Sequence, residues 1–109
     1  MAGRGLDEHG LRRKVVGKLN KLPGVVAKKY HPGGYGSSGF PDLMVFFYRG
    51  DELEGGTLLC ELKRPDGSGK LTPLQTRTHS LLELVGHDVL VASSLEEILD
   101  EMRERGYAG

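Results

Sequence analysis

The 109-residue chain has room for one domain spanning residues 1–109, which excludes a two-domain enzyme. Its 15 basic and 15 acidic residues cancel, excluding a uniformly basic coat, and the lone Cys60 excludes an intramolecular disulfide and a stapled secreted mini-protein. No apolar run reaches the roughly 18 residues a membrane helix needs, so a soluble, cytoplasmic protein without membrane partners is expected. The neutrality hides a split: the first 50 residues carry nine basic against three acidic residues, and the remainder carries the opposite surplus. A chain divided this way can turn an electropositive face to a polyanion.

Leu11, Val15, Leu19 and Leu22 recur at helical spacing, predicting an amphipathic helix from about Asp7 to before Pro23-Gly24. Glu8 lies one turn before Leu11 and is expected on the same inward stripe, whereas Arg12, Arg13 and Lys14 are assigned to the helix's other face. Val25 to Tyr30 reads as a short strand, and His31 to Gly39 as a glycine-rich loop. Leu43 to Tyr48 and Thr57 to Lys63 read as strands joined by a hairpin loop over Arg49 to Gly56. Thr72, Pro73 and Gln75 form a helix start with a capping box, and Leu74, Thr78, Leu81, Leu82 and Val85 are expected as that helix's buried face until Gly86 ends it. Asp88 to Ala92 is a further strand, and Ser94 with Glu97 opens a last helix that closes at Gly106. The order α-β-β-β-α-β-α predicts an α/β domain whose central mixed sheet is flanked by helices.

Two glycine patterns carry no chemistry. Gly34 to Gly39 has the letters of a dinucleotide fingerprint but leads into Phe40-Pro41-Asp42 and a strand instead of a helix; Gly67 to Lys70 lacks the first glycine of a phosphate loop. His9, His31, His79 and His87 have no ligand spacing and read as ordinary surface or loop histidines.

The informative group is Asp42 at the start of one strand and Glu61-Leu62-Lys63 on the next. Strand alternation puts Glu61 and Lys63 on one face, with Cys60 and Leu62 on the other. A symmetric hairpin would pair Asp42 with Lys63 and Met44 with Glu61, gathering the three charges together. Two carboxylates so placed repel unless a hard cation lies between them, and Mg²⁺ prefers such oxygen ligands. The plainer alternative is a cross-strand ion pair worth well under about 1 kcal/mol if exposed. Charges interrupting apolar runs, a glycine loop and the basic half of the chain favour a site.

Gly39-Phe-Pro-Asp42, Glu61-Leu-Lys63, Gly69-Lys-Leu-Thr-Pro-Leu-Gln75, Gly86-His-Asp-Val89 and Ser93-Ser-Leu-Glu-Glu97 together resemble the VRR-NUC domain, over about Glu8 to Glu97. This is a compact branch of the PD-(D/E)xK nucleases, and the chain is similar to its stand-alone viral and bacterial type. The resemblance implies a restriction-endonuclease-like core, with Asp42, Glu61 and the backbone carbonyl of Leu62 as metal ligands and Lys63 as the catalytic lysine. It also implies an N-terminal acidic ligand at Glu8, with Asp7 adjacent as the alternative, and a helical glutamine at Gln75 that doubles as a capping residue. The implied activity is a Mg²⁺-dependent endonuclease, Mn²⁺ substituting, acting on branched, flapped or Holliday-junction DNA, which a symmetric homodimer would read most simply. Lys28, Lys29, Arg64, Arg12 and Arg13 are candidate phosphate contacts. The alternative is a non-catalytic nucleic-acid-binding module with the same fold.

Overall fold

The computed structural model describes residues 8–30, 39–50, 54–64 and 70–109, with side chains from residue 10 onward. The elements run α1 (Glu8–Leu19), β1 (Val25–Lys29), β2 (Leu43–Phe47), β3 (Gly56–Leu62), α2 (Pro73–Leu84), β4 (Val89–Ala92) and α3 (Leu95–Glu104). The order is the α-β-β-β-α-β-α expected, with strand ends displaced by a residue. The strands form one sheet in the order β1-β2-β3-β4, antiparallel except for the parallel β3–β4 pair, which the α2 crossover connects. Among the described residues, no helix is long and apolar enough to cross a membrane.

The two faces of the sheet differ in kind. One packs against α1 and α3 through Val25, Ala27, Leu43, Val45, Leu58, Cys60 and Leu62, which meet Leu11, Val15 and Leu19 from α1 and Ile98 and Met102 from α3. The stripe predicted for α1 is therefore its buried face. Tyr107, beyond α3, joins this core, its ring edge-on to Phe47 and its hydroxyl donating to the Pro23 carbonyl at 2.8 Å. Asn20, just past α1, brackets the outer edge of β1: its amide donates to the Ala27 carbonyl at 2.9 Å and accepts from the Ala27 N–H at 2.7 Å. That edge is thereby occupied at one residue and less open to pairing with another chain.

The hairpin is not symmetric. Leu43 pairs with Cys60, and Phe47 with Gly56, a two-residue slip from the expected register that brings Asp42 beside Glu61 instead of Lys63. The cause lies at Gly56: a Cβ there would collide with the Phe47 ring, so the aromatic ring selects the residue without a side chain as its cross-strand neighbour. A slip of two preserves the faces. Glu61 and Lys63 accordingly stay on the face opposite Cys60, as the alternation predicts.

The expectation for α2 is corrected in part: Thr78 and Leu82 face inward as expected, and the other three positions do not. Leu74, Leu81 and Val85, assigned to its buried face, are 47%, 52% and 71% exposed; the inward residues are His79, buried, with Gln75, Thr78 and Leu82 half-buried. The strip of sheet beneath α2 carries Glu61 and Lys63, and buried charges need polar partners that a leucine face could not provide. Gly39 permits the approach: a Cβ there would strike the Thr78 hydroxyl and the Leu74 backbone. Gly86 and Gly106, both at positive φ, end α2 and α3 as predicted, with His87 N–H on the Leu82 carbonyl and Tyr107 N–H on the Met102 carbonyl.

At the start of α3, Ser94 accepts from the Glu97 N–H, but the Glu97 carboxylate reaches one residue further back than a capping box requires, to the Ser93 N–H and hydroxyl, both at 2.9 Å. Those bonds hold the Glu97 carboxyl below the usual glutamate range. Because the folded-state pKa is depressed, the stabilisation is complete above the unfolded value and is lost as pH falls through the folded one. Glu97→Gln, which imitates the protonated form, should therefore be less stable than wild type at neutral pH, with the gap closing in acid. A urea-denaturation series showing a constant gap from neutral pH to pH ~3 would refute this role.

Candidate active site

Three elements converge on the face of the sheet opposite the α1–α3 core. Asp42 sits just before β2, directed there by Gly39-Phe40-Pro41, with Pro41 buried and Phe40 stacked at a tilt on Tyr30, ring centroids 4.8 Å apart. Glu61 and Lys63 come from the end of β3, and Gln75 and His79 from successive turns of α2. The side chain of Glu61 is only 3% exposed, that of Lys63 11% and that of Asp42 17%.

Asp42 joins two strands and a helix. Its Oδ1 accepts from the Leu62 N–H at 3.3 Å, and its Oδ2 meets the Arg12 Nη1 at 3.2 Å. Arg12 thus turns toward the site, not to the far side of α1 where helical periodicity placed it, while Arg13 and Lys14 are exposed. A long, flexible guanidinium stem reaches across the boundary between the two helix faces, which spacing alone does not reveal.

Glu61 is held from the α2 side. Gln75 Nε2 donates to Glu61 Oε2 at 3.1 Å; Gln75 Oε1 accepts from Lys63 Nζ at 3.3 Å and from the Thr72 N–H at 2.9 Å. The two roles expected for Gln75, cap and site residue, are both realised in one side chain. Lys63 Nζ lies 3.9 Å from Glu61 Oε2, so the charges are close while the neutral amide makes the shorter contacts to both. His79, one turn beyond Gln75, brings Nε2 to 3.7 Å from Glu61 Oε1, and that nitrogen makes no hydrogen bond among the described residues. Burial pulls the His79 pKa below its ordinary value; Glu83 opposes this, Lys63 adds to it, and Asp42 opposes it. The expectation that His79 is an ordinary surface or loop histidine is corrected: it is buried within α2, on the face turned to the sheet. The available signal was its i+4 spacing from Gln75.

Cys60, on the apolar face, is inert: burial pushes its thiol far up, reinforced by Asp42 and Glu61. Lys28, Lys29, Arg13 and Arg64 are exposed, with Arg64 directly after Lys63. Asp7 and the Glu8 side chain, the alternatives for a third acid, lie outside the described residues. Among the described residues, no three His, Cys, Asp or Glu side chains form a metal-holding group. The donors present are nevertheless of the right kind: two carboxylates and neighbouring backbone carbonyls supply the oxygen ligands a hard divalent cation takes.

Gln75→Glu tests the amide's double role. It keeps a capping acceptor for Thr72 but sets a second carboxylate against buried Glu61, so the two would share a proton or push α2 away. A melting temperature several degrees below both wild type and Gln75→Ala is expected; equality with wild type would show that the Gln75–Glu61 contact carries no weight.

No family model matches the chain. It is 30% identical over 89 residues, 82% of its length and 85% of the relative's, to "Putative nuclease p44" of Acyrthosiphon pisum secondary endosymbiont phage 1. A solved structure titled "VRR_NUC domain" aligns over 94% of this chain and 100% of its own, with a TM-score of 0.65 and 25% identity. With that extent of shared sequence and fold, the chain belongs to the family of the phage nuclease protein and has the VRR_NUC-like, PD-(D/E)xK-type α/β fold.

Proposed function

We propose that the protein is a divalent-metal-dependent endonuclease that hydrolyses DNA phosphodiester bonds. The observation that carries this reading is the gathering of Asp42, Glu61 and Lys63 at one end of the sheet, the last two buried and bridged by Gln75. A stability-driven fold has little reason to bury a glutamate and a lysine there, since burying a charge costs free energy that apolar packing would not.

Asp42, Glu61 and the Leu62 carbonyl are the residues that would hold Mg²⁺ or Mn²⁺, with Glu8 or Asp7 completing the set. When bound, the ion supplies Lewis-acid polarisation of the phosphate and a more acidic water. Lys63 is the group placed to stabilise charge on the phosphate or orient the nucleophile, and Gln75 fixes its Nζ. Lys28, Lys29, Arg64, Arg13 and Arg12 are candidate partners for flanking phosphates. A non-catalytic DNA-binding module is the second reading, favoured by the Arg12 ion pair that engages one oxygen of Asp42.

One assay separates the two: supercoiled, linear, flapped and four-way DNA incubated with and without Mg²⁺ or Mn²⁺. Metal-dependent cleavage strongest on branched substrates is expected, and none on any substrate would sink the catalytic reading. Glu61→Ala should reduce cleavage by about 100-fold or more while leaving DNA binding nearly intact, because that carboxylate does not attract phosphate. Lys63→Ala should lose a similar factor, and Lys63→Arg should recover only part of it, as a planar guanidinium does not replace a compact ammonium.

A symmetric dimer fits branched DNA, and the outward stripe of α2 supports one. Leu74, Leu81, Leu84 and Val85 share a helix face and are 47–81% exposed, an apolar stripe that a second copy would cover. Sedimentation should give twice the 11.9 kDa chain mass for wild type and a single-chain mass for Leu84→Glu. A wild-type monomer at micromolar concentration would exclude the dimer.

A further inference from the structure

Among the described residues, His79 is a buried side chain at the site that phosphodiester hydrolysis by Asp42, Glu61 and Lys63 leaves unused. Its relative exposure is 7%, it lies on the helix that supplies Gln75, and its Nε2 has no hydrogen-bond partner among the described residues. An orphaned ring nitrogen in a buried place carries its desolvation cost uncompensated, so an ordinary core position would favour an apolar residue there. What faces it is Oε1 of Glu61, 3.7 Å away, while Gln75 holds the other oxygen of the same carboxylate at 3.1 Å.

We propose that His79 is a positioning residue for Glu61: its Nε2–H, four residues along α2 from the Gln75 amide, grips Oε1 as Gln75 grips Oε2. The carboxylate is then fixed in rotation from one helix face. The 3.7 Å separation is longer than a hydrogen bond, as such contacts often are before substrate and metal assemble, and closing it needs less than an ångström of movement. A ligating carboxylate can accept this bond and still present a lone pair to a cation, and partners of this kind raise metal affinity by holding the ligand's orientation. Lys63 contributes charge at Oε2 but sits 3.9 Å away, so it does not fix the rotation. The arrangement also accounts for the outward turn of Leu74, Leu81 and Leu84: both grips must face the sheet, beside the half-buried Leu82.

The inference rests on Glu61 being a metal ligand, and the test keeps the two claims apart. Mn²⁺ binding to the full chain without DNA would be measured by calorimetry for wild type, Glu61→Gln, His79→Leu, His79→Gln and His79→Met, each with its thermal melt. The expected result is Mn²⁺ affinity about 10- to 100-fold weaker for His79→Leu with the melting temperature kept or raised, and His79→Gln, which can donate, within a few-fold of wild type. Wild-type affinity in His79→Leu, together with loss in Glu61→Gln, would overturn the inference and leave the metal reading standing. Absence of Mn²⁺ binding by wild type would overturn both. If His79→Leu does not fold, the Gln and Met variants, similar in size and differing in the donor, make the same comparison: equal affinities refute the proposal and a weaker Met variant supports it.

Discussion

Everything on one side of this molecule follows from the burial of Glu61. A carboxylate with 3% of its side chain exposed has given up nearly all its water, a loss of several kcal/mol unless protein groups replace it. Gln75 and Lys63 provide the replacement, and Gln75 does so because α2 lies over the end of β3. The helix is therefore held by polar contacts across a charge and not by a leucine seam. Its capping box joins this arrangement, since the Gln75 oxygen that closes the cap also receives Lys63.

That proximity has a steric condition, met by glycine. Gly39 lies against the Leu74 and Thr78 turn of α2 where no side chain would fit, and the segment it begins delivers Pro41 and Asp42 to the site. Gly56 plays the corresponding part at the other end of the hairpin, beneath the Phe47 ring, and so sets which residue of β3 stands beside Asp42. Two positions defined by the lack of a Cβ thus determine the spacing of the two carboxylates, one through helix approach and the other through strand register.

These constraints also explain what could be read from the sequence. The elements were legible because their signals are local: the 11-15-19 stripe of α1, the Thr72-Pro73-Gln75 cap, and Gly86 and Gly106 at the helix ends. The shared face of Glu61 and Lys63 was legible for the same reason, strand alternation being insensitive to a two-residue slip. The register itself was not, because it depends on Phe47 choosing Gly56 as a neighbour, a contact between residues on different strands. Nor was the inward face of α2. Hydrophobic patterning assumes that the surface receiving a helix is apolar, and this one carries two charges. His79 departs from the pattern through that assumption and Arg12 through the reach of its stem, each to approach a carboxylate.

A domain of this size can tolerate such buried charges because the opposite face of the sheet carries the folding free energy. Leu19, Leu43, Val45, Leu58, Cys60, Leu62, Ile98 and Met102 are all fully buried on the α1–α3 side, and burial of each large apolar side chain contributes roughly 1.5–3 kcal/mol. β3 belongs to both worlds by strict alternation: Leu58, Cys60 and Leu62 anchor it in the core, while Glu61 and the following Lys63 project the opposite way. Anchoring on one side is what fixes the charges on the other, because neither can move without lifting Leu62 out of the core. The β3–β4 pairing tightens this further, with the Lys63 N–H bonded to the Ala92 carbonyl at 2.8 Å immediately before the chain continues to Arg64. Rigid placement of reactive groups thus follows from the same two-residue periodicity that builds the sheet, and the cost of burying them is met by a core with which they share a strand but no contact face.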